Sequence, residues 1–292
     1  MARYIIMVLG GATSFGILTS FVKLAYKQGY HAAEIAFAQA SIGAVVLWGI
    51  FLFNKKASAS RREIPLLLFT GATIGISTFL YYLSVTYISA SVAIVLLMQF
   101  TWISILIEWI LFKKKPLTSE LIITVVILMG TILASGFTSQ KGMALSLKGV
   151  GYVLLASVVY ALYIVCNSRV GKRIGWENKS AWIMTGSALS ILFVNFPIVA
   201  LDIHVGAELL KWGLFLAVFG TILPPILFAI GIPKVGASTS GLLMTVELPM
   251  AVISAYLVLN EKLSVIQITG ILIMLLAIIA MNVFNRRVKS SL

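Results

Sequence analysis

Ten runs of about 20 mostly apolar residues follow one another along the 292-residue chain, separated by short polar or basic clusters. A run of about 20 residues is long enough for one helical crossing of the ~30 Å hydrocarbon layer of a membrane. Inside that layer every backbone N–H and C=O group must be paired within the chain, and a helix achieves this. The sequence therefore predicts an all-α polytopic membrane protein with ten transmembrane helices, at Ile5–Val22, Ile35–Phe53, Ile64–Val85, Ser89–Phe112, Leu121–Phe137, Gly149–Ser168, Ser180–Leu201, Trp212–Ile232, Val235–Leu259 and Ser264–Asn285.

The composition indicates that these runs lie in lipid. Charged residues make up 11% of the chain and hydrophobic residues 60%, whereas soluble domains carry about 25% charged residues. The formal net charge of +13 does not point to nucleic acid, because no basic segment interleaved with aromatic residues lies outside the apolar runs. We therefore expect the lipid bilayer to surround the chain and expect no nucleic-acid partner.

The sequence offers few residues for catalysis or metal binding. Cys166 is the single cysteine, and the two histidines, His31 and His204, lie in predicted loops far apart in the sequence. A zinc site needs about three or four protein ligands. Neither a nucleophile–His–acid set nor a phosphate-binding glycine loop can be found. We expect no metal, no cofactor and no enzymatic activity.

Lysine and arginine are divided unevenly between the two sides that ten crossings would create. One side holds 16 of the 22 basic residues and the other holds 6. Because loops rich in Lys and Arg stay in the cytoplasm, both termini are predicted to be cytoplasmic. The basic residues on the other side are Lys23, Lys27, Lys141, Lys148, Lys211 and Lys262.

The two halves of the chain are similar to each other. The stretch "YISASVAIVLL" (Tyr87–Leu97) matches "KVGASTSGLLM" (Lys234–Met244) at an offset of 147 residues. We therefore predict two five-helix repeats, residues 1–140 and 141–292. Because five crossings is an odd number, the second repeat must be inverted in the membrane. Transporters use inverted repeats to build two similar states, each open to one side of a site near the membrane midplane.

Two carboxylates lie inside the predicted helices, at different depths. Glu108 is four residues from the end of its helix, beside Lys113, Lys114 and Lys115, and we expect it to reach the interface or to form ion pairs there. Glu247 is twelve residues from either end of its run, which is about 18 Å at a rise of 1.5 Å per residue. An acid at that depth costs about 2.5–3.5 kcal/mol. It is therefore either functional, binding a proton or a substrate, or a protonated hydrogen-bonding group between helices.

Three prolines are predicted to interrupt helices, and one of them lies beside the central carboxylate. Pro249 removes a backbone donor and clashes with the carbonyl of Thr245. This predicts a bend next to Glu247 and a freed carbonyl that faces a cavity. Pro224 and Pro225 predict the same kind of interruption, or gate, in the eighth run.

Other polar and aromatic side chains at membrane depth are candidates for binding a substrate or a proton. Aromatic stripes more often serve packing or the interfacial belt, and we assign Tyr81 and Tyr82 to that belt. Helical spacing places two sets of candidates on shared faces of the fourth and sixth runs. The candidates besides Glu247 are Gln39, Gln99, Trp102, Tyr160, Tyr163 and Asn167.

The chain resembles the EamA-type transporters of the drug/metabolite transporter superfamily over nearly its whole length. "SFGILTSFVK" (Ser14–Lys23) is similar to the first-helix pattern of that family. "VELPMAVISAYLVLNEKLS" (Val246–Ser264) looks like its ninth-helix pattern, with Glu247, Pro249 and Glu261 in the expected places. The resemblance implies a ten-helix carrier of the bacterial inner membrane with a central cavity between its halves. Members mostly export, and some import, amino acids, amines, nucleosides or other small metabolites.

The expected function is secondary transport of small organic metabolites, such as amino acids or amines, across the cytoplasmic membrane. We expect an exporter that works by alternating access, with a small-molecule substrate and a monomeric or homodimeric state. The alternatives are a multidrug or organic-cation efflux carrier, a channel or scramblase, and an integral-membrane lipid enzyme. The inverted repeats argue against a channel, because a pore does not need two states related by symmetry.

Overall fold

The structure, a computed structural model, describes residues 1–54, 57–134, 146–201, 206–260 and 264–290. Every regular element in this part of the chain is helical, as long apolar segments require in lipid. A π-helical segment, Ala217–Ile222, joins α10 to α11. The helices are α1 (Ala2–Lys27), α2 (Ala32–Phe53), α3 (Ile64–Val85), α4 (Ala90–Leu97), α5 (Phe100–Phe112), α6 (Thr118–Ala134), α7 (Leu147–Arg169), α8 (Trp176–Val194), α9 (Phe196–Leu201), α10 (Ala207–Leu216), α11 (Leu223–Val235), α12 (Ala237–Met244), α13 (Glu247–Leu259) and α14 (Val265–Ser290).

Seven helical stretches of the described chain are long and apolar enough to cross a membrane, which confirms the prediction of an all-α polytopic membrane protein. Two further apolar helices, Thr118–Ala134 and Val265–Ala280, are shorter. The seven stretches are Ala2–Lys27, Ala32–Phe53, Ile64–Val85, Val92–Phe112, Leu147–Arg169, Ala207–Val235 and Ala237–Leu259.

The predicted fourth and ninth runs are each divided by a break in the α-helix. The first break separates α4 from α5 after Leu97, and the second separates α12 from α13 after Met244. Four of these helices form two pairs of equal length, of 8 residues before each break and 13 residues after it. Apolar length alone does not reveal such breaks, and the sequence predicted only the second.

The backbone takes the same course through both breaks. The N–H of Thr101 donates to the carbonyl of Met98 at 3.1 Å, and the N–H of Leu248 donates to the carbonyl of Thr245, also at 3.1 Å. Both hydrogen bonds span three residues, whereas those of an α-helix span four, so each break contains a short 3₁₀-like turn that leads into the next helix.

Some predicted boundaries differ from the structure or lie beyond it. The predicted seventh run is α8 followed by the short α9, and α8 begins four residues earlier than predicted, at Trp176. Residues 135–137 at the end of the fifth run lie outside the described residues. So do the predicted repeat boundary at residues 140–141, His204 and Glu261.

Glycine permits close contact between the two halves of the chain. A Cβ atom added to Gly75 in α3 would lie 2.6 Å from the carbonyl oxygen of Ser187 in α8. Gly130 in α6 and Gly270 in α14 face each other in the same way, since a Cβ on Gly270 would lie 2.6 Å from the Gly130 carbonyl. Small residues at such crossings let helix backbones approach in a membrane, where van der Waals packing holds the helices together.

Large apolar side chains cover much of the outer surface. Helix α6 exposes Leu121 and Val125, and α14 exposes Ile266 and Leu272. An exposed apolar surface of this extent is unfavourable in water. It is the surface expected of helices in contact with lipid.

Helices from the two halves interlock around the centre of the molecule. Helix α1 packs against α11 and α13, α3 packs against α7 and α8, and α5 packs against α7 and α12. The break between α12 and α13 therefore lies against α1 and near α7, inside the bundle. This arrangement positions the first residue of α13, Glu247, in the protein interior.

Candidate functional site

Glu247 is the first residue of α13 and is 3% exposed. Its Oε1 atom accepts a hydrogen bond of 2.6 Å from the hydroxyl of Tyr160, which α7 supplies. Helix α1 approaches from the other side at Gly16, where an added Cβ would collide with the carbonyl oxygen of Glu247 and lie 2.7 Å from Cβ of Met250. The carboxylate is therefore held where α1, α7 and α13 meet.

Aromatic rings surround the Tyr160 side of this contact. The Tyr160 ring packs edge to face against Phe100 and Phe15, with ring centroids 4.8 and 6.4 Å apart. It stacks on the Tyr163 ring at a centroid distance of 6.1 Å and an interplanar angle of 9°. Phe15 in turn packs against Phe228 at 5.6 Å. Edge-to-face and offset arrangements of this kind are favourable and fix ring orientation. They leave the Tyr160 hydroxyl pointing at Glu247.

A cavity of about 50 Å³ lies beside Glu247. One ordered water needs about 10–15 Å³ of such volume, so this space holds a few waters or a small polar group. Glu247 is the one charged residue in the lining that the structure describes. The polar and aromatic lining residues besides Glu247 and Tyr160 are Phe15, Thr19, Ser77, Thr78, Tyr81 and Tyr82.

Three tyrosine hydroxyls lie toward the end of α1, which we call the Tyr26 end. The hydroxyl of Tyr81 and Oγ1 of Thr19 share a hydrogen bond of 3.1 Å. Tyr26 donates to the carbonyl of Tyr82 at 2.9 Å, and the Tyr82 hydroxyl donates to Oε1 of Gln39 at 3.2 Å. Tyr81 and Tyr82 are 7% and 3% exposed, so their assignment to an interfacial belt was wrong.

Gln39 is buried in α2 and supports the cavity wall from behind. Its side chain accepts from Tyr82, and its backbone carbonyl accepts a bond of 2.6 Å from Thr221 in the π-helical segment. It does not line the cavity itself. Its contact with the cavity is therefore indirect, through Tyr82.

The structure confirms the interruption at Pro249 and corrects its detail. Pro249 is the third residue of α13, just after the break. The carbonyl of Thr245 is not free, because the N–H of Leu248 binds it. The expected free carbonyl at Thr245 was therefore wrong.

The second pair of prolines also follows an interruption. Pro224 and Pro225 are the second and third residues of α11 and are buried, directly after the π-helical segment. Ser180 in α8 donates to the carbonyl of Pro225 at 3.3 Å. Proline is tolerated in the first turn of a helix, because the N–H groups of that turn have no partner within the helix and its missing N–H therefore removes no hydrogen bond.

Tyr163 and Asn167 extend the polar line along α7, beyond the cavity lining. The amide nitrogen of Asn167 donates to the Tyr163 hydroxyl at 3.2 Å. The buried Lys179 of α8 donates to the backbone carbonyl of Asn167 at 2.8 Å. Oδ1 of Asn167 has no hydrogen-bond partner among the residues that the structure describes.

Gln99 and Trp102 share one helix face, as predicted, but that face points away from the cavity. The indole N–H of Trp102 donates to Oε1 of Gln99 at 2.8 Å, and Trp102 is 41% exposed. Neither residue lines the Glu247 cavity. The structure thus separates these two candidates from Glu247 and Tyr160.

Glu108 forms a cluster at the opposite end of the bundle, which we call the Glu108 end. It is 2% exposed and accepts from Arg169 at 2.8 Å and from Lys114 at 3.3 Å. Its other oxygen accepts from the backbone N–H and the hydroxyl of Ser238, at 3.1 and 2.6 Å. The expected ion pairing is confirmed, and the contact with Ser238 near the start of α12 adds a link between the halves. Negative charge at a helix N-terminus is favourable.

The wall that α3 contributes to the cavity was not predicted from the sequence. Ile74, Ser77, Thr78, Tyr81 and Tyr82 follow the spacing i, i+3, i+4, i+7 and i+8, and all five line it. That spacing marks a single helix face. The polar hydroxyls on this face were the signal that could have identified it.

Within the described part of the chain, no group of three or more His, Cys, Asp or Glu side chains could hold a metal ion. The site as described consists of one carboxylate, several hydroxyl groups and aromatic rings. These groups can bind a proton or a positively charged or hydroxylated solute by hydrogen bonds and cation–π contacts.

Comparison with known families and proteins gives one family and several relatives. The model of the EamA-like transporter family matches residues 2–136 and again residues 147–283. The threonine/homoserine exporter RhtA of Salmonella typhimurium (strain SL1344) is 28% identical over 253 residues, covering 85% of this chain and 80% of that protein. The uncharacterized transporter YcbK of Bacillus subtilis (strain 168) is 23% identical over 280 residues, covering 91% and 88%.

The fold is also found among solved structures. One crystal structure, described only as that of a protein, superposes with a TM-score of 0.72 at 13% sequence identity. The superposition covers 92% of this chain and 96% of the other. At this level of identity, the similarity concerns the fold alone.

Proposed function

Because the chain belongs to the EamA-like transporter family, we propose that it exports small organic metabolites, such as amino acids or amines, by alternating access around Glu247. It is a transporter and not an enzyme. It is a multi-pass protein of the bacterial inner membrane. Export as the direction draws support from the relative named as an exporter.

The proposal includes ten crossings arranged as two inverted repeats, residues 1–140 and 141–292. The two helix breaks support it, because they lie 147 residues apart and have the same backbone hydrogen bonds. Each break also leads into a 13-residue helix that ends at a residue with positive φ, Lys113 at 53° and Asn260 at 55°. The separate matches of the family model to each half support the same division.

The packing of helices also supports the repeat. Under the proposed symmetry α1 corresponds to α7, and α3 corresponds to α10 and α11 together. The pairing of α3 with α7 then has its counterpart in α11 with α1, and the pairing of α5 with α7 has its counterpart in α13 with α1. A two-fold axis that exchanges the halves would produce these matched pairs.

We further propose that both termini lie in the cytoplasm, as the excess of basic residues on that side favours. Gly231 of α11 packs against the first turns of α1, so the Glu108 end, where α12 begins, lies on the side of the N-terminus. The Tyr26 end then faces outward. In this arrangement the cavity between Glu247 and the Tyr26 end lies on the outer side of the central carboxylate.

The observation that carries the proposal is the Glu247–Tyr160 hydrogen bond beside a small cavity at the junction of the halves. A carboxylate near the membrane midplane can alternate between a proton and a cationic substrate group, provided that it faces a cavity. Tyr160 and the hydroxyl groups of the cavity wall would orient the solute. The residues behind this wall would fix its orientation. Tyr163 stacks on Tyr160 and accepts a hydrogen bond from Asn167, and Gln39 accepts one from Tyr82.

Two alternatives predict different flux. A channel or scramblase would give a flux that does not saturate and shows no counterflow. A multidrug carrier needs space for a bulky ligand, and drug-sized ligands occupy pockets of about 300–1,000 Å³. The cavity of about 50 Å³ favours a small solute in this state.

The proposal is tested by measuring solute counterflow in proteoliposomes that contain the purified full-length protein. We propose that the transporting unit is a monomer or a homodimer. Labelled amino acids and amines are offered one at a time to vesicles loaded with the same unlabelled compound, at several pH values. We expect saturable counterflow of at least one compound, and we expect Glu247→Gln to reduce it by about tenfold or more. Glu208→Gln is the control, because Glu208 is exposed and pairs with Lys211 at the surface.

Non-saturating flux without counterflow would assign the protein to the channels. Counterflow that Glu247→Gln leaves unchanged at every pH would make Glu247 a structural residue that bridges helices.

A further inference from the structure

Glu247 uses only one of its two carboxylate oxygens within the protein. Oε1 accepts from Tyr160, and Oε2 has no hydrogen-bond partner among the described residues. The residue is nevertheless 3% exposed and lines the cavity. Oε2 is not among the fully buried side-chain atoms that lack a partner, and Glu247 lines the cavity, so this oxygen reaches the cavity and can accept a hydrogen bond from a donor on a bound solute.

The cavity walls suit a positively charged donor. Phe15, Tyr81 and Tyr160 line the cavity together with the carboxylate. The faces of aromatic rings attract cations, and the attraction is stronger when the cation is desolvated. An ammonium group placed at Oε2 would therefore have a charged acceptor and aromatic walls.

The same cavity lacks a partner for a second, negative group. Among the described residues that line it, none is Lys, Arg or His. The hydroxyl of Ser77 already donates to the carbonyl of Ala156 at 2.9 Å, and Thr19 and Tyr81 are bonded to each other. A carboxylate brought into this space would be desolvated next to Glu247 without a compensating cation, which is costly.

One further polar group in the wall remains available to a solute. The hydroxyl of Thr78 has no hydrogen-bond partner in the described chain and lines the cavity. A hydroxyl can donate or accept, so it can bind a neutral polar group such as an alcohol. The volume of about 50 Å³ limits the bound part of the solute to a few heavy atoms.

We propose that the transported solute is a small organic cation that carries an ammonium group and no carboxylate, with the ammonium bound to Oε2 of Glu247. A short amino alcohol meets every requirement of the cavity, because its hydroxyl can reach a wall hydroxyl such as that of Thr78. The inference rests on the proposed function, since it assigns the substrate class of the same site.

The test compares pairs of compounds that differ only in the carboxylate. Threonine is paired with 1-amino-2-propanol, and homoserine with 3-amino-1-propanol. Binding to the purified full-length protein is measured by calorimetry and by the shift in unfolding temperature, since a ligand that binds the folded form stabilises it. We expect each amino alcohol to bind about tenfold or more tightly than its amino acid.

Two variants test whether the solute binds at the proposed contact. Glu247→Gln is expected to weaken amino alcohol binding by about tenfold or more, whereas Glu208→Gln leaves it unchanged. Thr78→Val keeps the shape of the side chain and removes the hydroxyl, and it should weaken the amino alcohols more than the matching alkylamine, propylamine. This second variant keeps the test decisive should Glu247→Gln fail to fold.

The results separate this inference from the proposed function. Equal or tighter binding of the amino acids, or no binding of the amino alcohols, overturns the assigned substrate class. Saturable counterflow of threonine or homoserine in the same preparation would then support the proposed carrier function and show that its substrate is a zwitterionic amino acid. Unchanged binding in both Glu247→Gln and Thr78→Val would also overturn the inference, because the ligand would lie elsewhere.

Discussion

The hydrogen bond between Tyr160 and Glu247 joins the two kinds of group that make up the site. The tyrosine is fixed by rings from α1, α5 and α7, whereas the carboxylate begins α13 after a helix break. A movement of α13 relative to α7 would therefore lengthen this bond before it disturbed the ring packing. At the residue scale, we propose that this contact couples solute binding to helix position.

Removal of the Tyr160 hydroxyl tests that coupling. Tyr160→Phe keeps the ring contacts and leaves Oε1 of Glu247 without its donor, which costs about 1–3 kcal/mol. We expect a lower unfolding temperature and counterflow reduced by about tenfold. The measurements are thermal unfolding in detergent and counterflow in proteoliposomes.

Tyr152→Phe is the matched control for that variant. Tyr152 lies on the same helix, packs against Tyr87 at 5.9 Å, and its hydroxyl has no hydrogen-bond partner in the described part of the chain. We expect almost no change in either measurement. An equal loss in both variants would mean that the hydroxyl of Tyr160 has no special role.

Glu247 stands out in the sequence because a carboxylate is rare at membrane depth. Helical spacing made Tyr160 a candidate, but the sequence does not show that the two residues pair, because they are 87 residues apart. Gln99 and Trp102 had the same spacing signal, but neither lines the cavity, and Trp102 is 41% exposed. Spacing defines a helix face, and only tertiary packing decides whether that face points inward or toward lipid.

At the scale of helices, the close approach of α1 to α13 positions the carboxylate. Gly16 is the residue of α1 at this crossing, and any side chain there would meet the backbone of Glu247. A small residue at a helix crossing is the usual means of close contact in membranes. The position of Glu247 therefore depends on a residue that has no chemistry of its own.

Gly16→Ala is expected to destabilise the protein by about 1–3 kcal/mol, because an added methyl group overpacks the crossing. It should also reduce solute binding, since α13 must move away from α1. Gly49→Ala in α2 is the control, because an added Cβ there meets nothing within 4 Å. That control should stabilise by about 0.5–1 kcal/mol, the usual gain of Ala over Gly within a helix. Similar unfolding temperatures for the two variants would contradict the close packing of α1 on α13.

The Glu108 cluster ties α5, α7 and α12 together at the other end of the bundle. Glu108→Gln removes the ion pairs with Arg169 and Lys114 and keeps an acceptor for Ser238. We expect a loss of about 1–3 kcal/mol, the cost of weakening hydrogen bonds to a buried charged group. Thermal unfolding measures this loss of stability, and Glu208→Gln is the control, because its exposed ion pair changes the stability by no more than about 0.5 kcal/mol. Equal unfolding temperatures would show that the cluster does not link these helices.

The two helix breaks show what a sequence can and cannot reveal at this scale. Pro249 indicated the break before α13, because proline removes a backbone donor. The break between α4 and α5 has no proline or glycine nearby, and the residues around Met98 read as a continuous apolar helix. Its signal was the repeat itself, since the position 147 residues later is also interrupted.

At the scale of the whole molecule, the proposed inverted repeat requires both tails on the same face. Five crossings per repeat would give ten in all, and the excess of basic residues predicts that both tails lie in the cytoplasm. Reporter fusions at each terminus are expected to report a cytoplasmic location for both. Tails on opposite faces would contradict the ten crossings and remove the inverted symmetry.

Apolar length was sufficient to predict an all-helical membrane protein, because the bilayer leaves few other ways to satisfy the backbone. The arrangement of helices around the cavity was not predictable in this way. It depends on glycine crossings such as Gly75 on α8, and on which face of each helix meets its neighbours. A single sequence does not contain those pairings in readable form.

We propose that one site beside Glu247 opens to each face of the membrane in turn. Leu97 lines the cavity beside the first helix break, so Leu97→Cys, with Cys166 replaced by Ser, reports access to that site. A membrane-impermeant thiol reagent is applied to right-side-out and to inside-out vesicles, and labelling rates are compared. We expect labelling from both faces, at a higher rate in right-side-out vesicles, and we expect bound solute to slow the labelling on both faces. Labelling from one face only, whether or not solute is present, would contradict it.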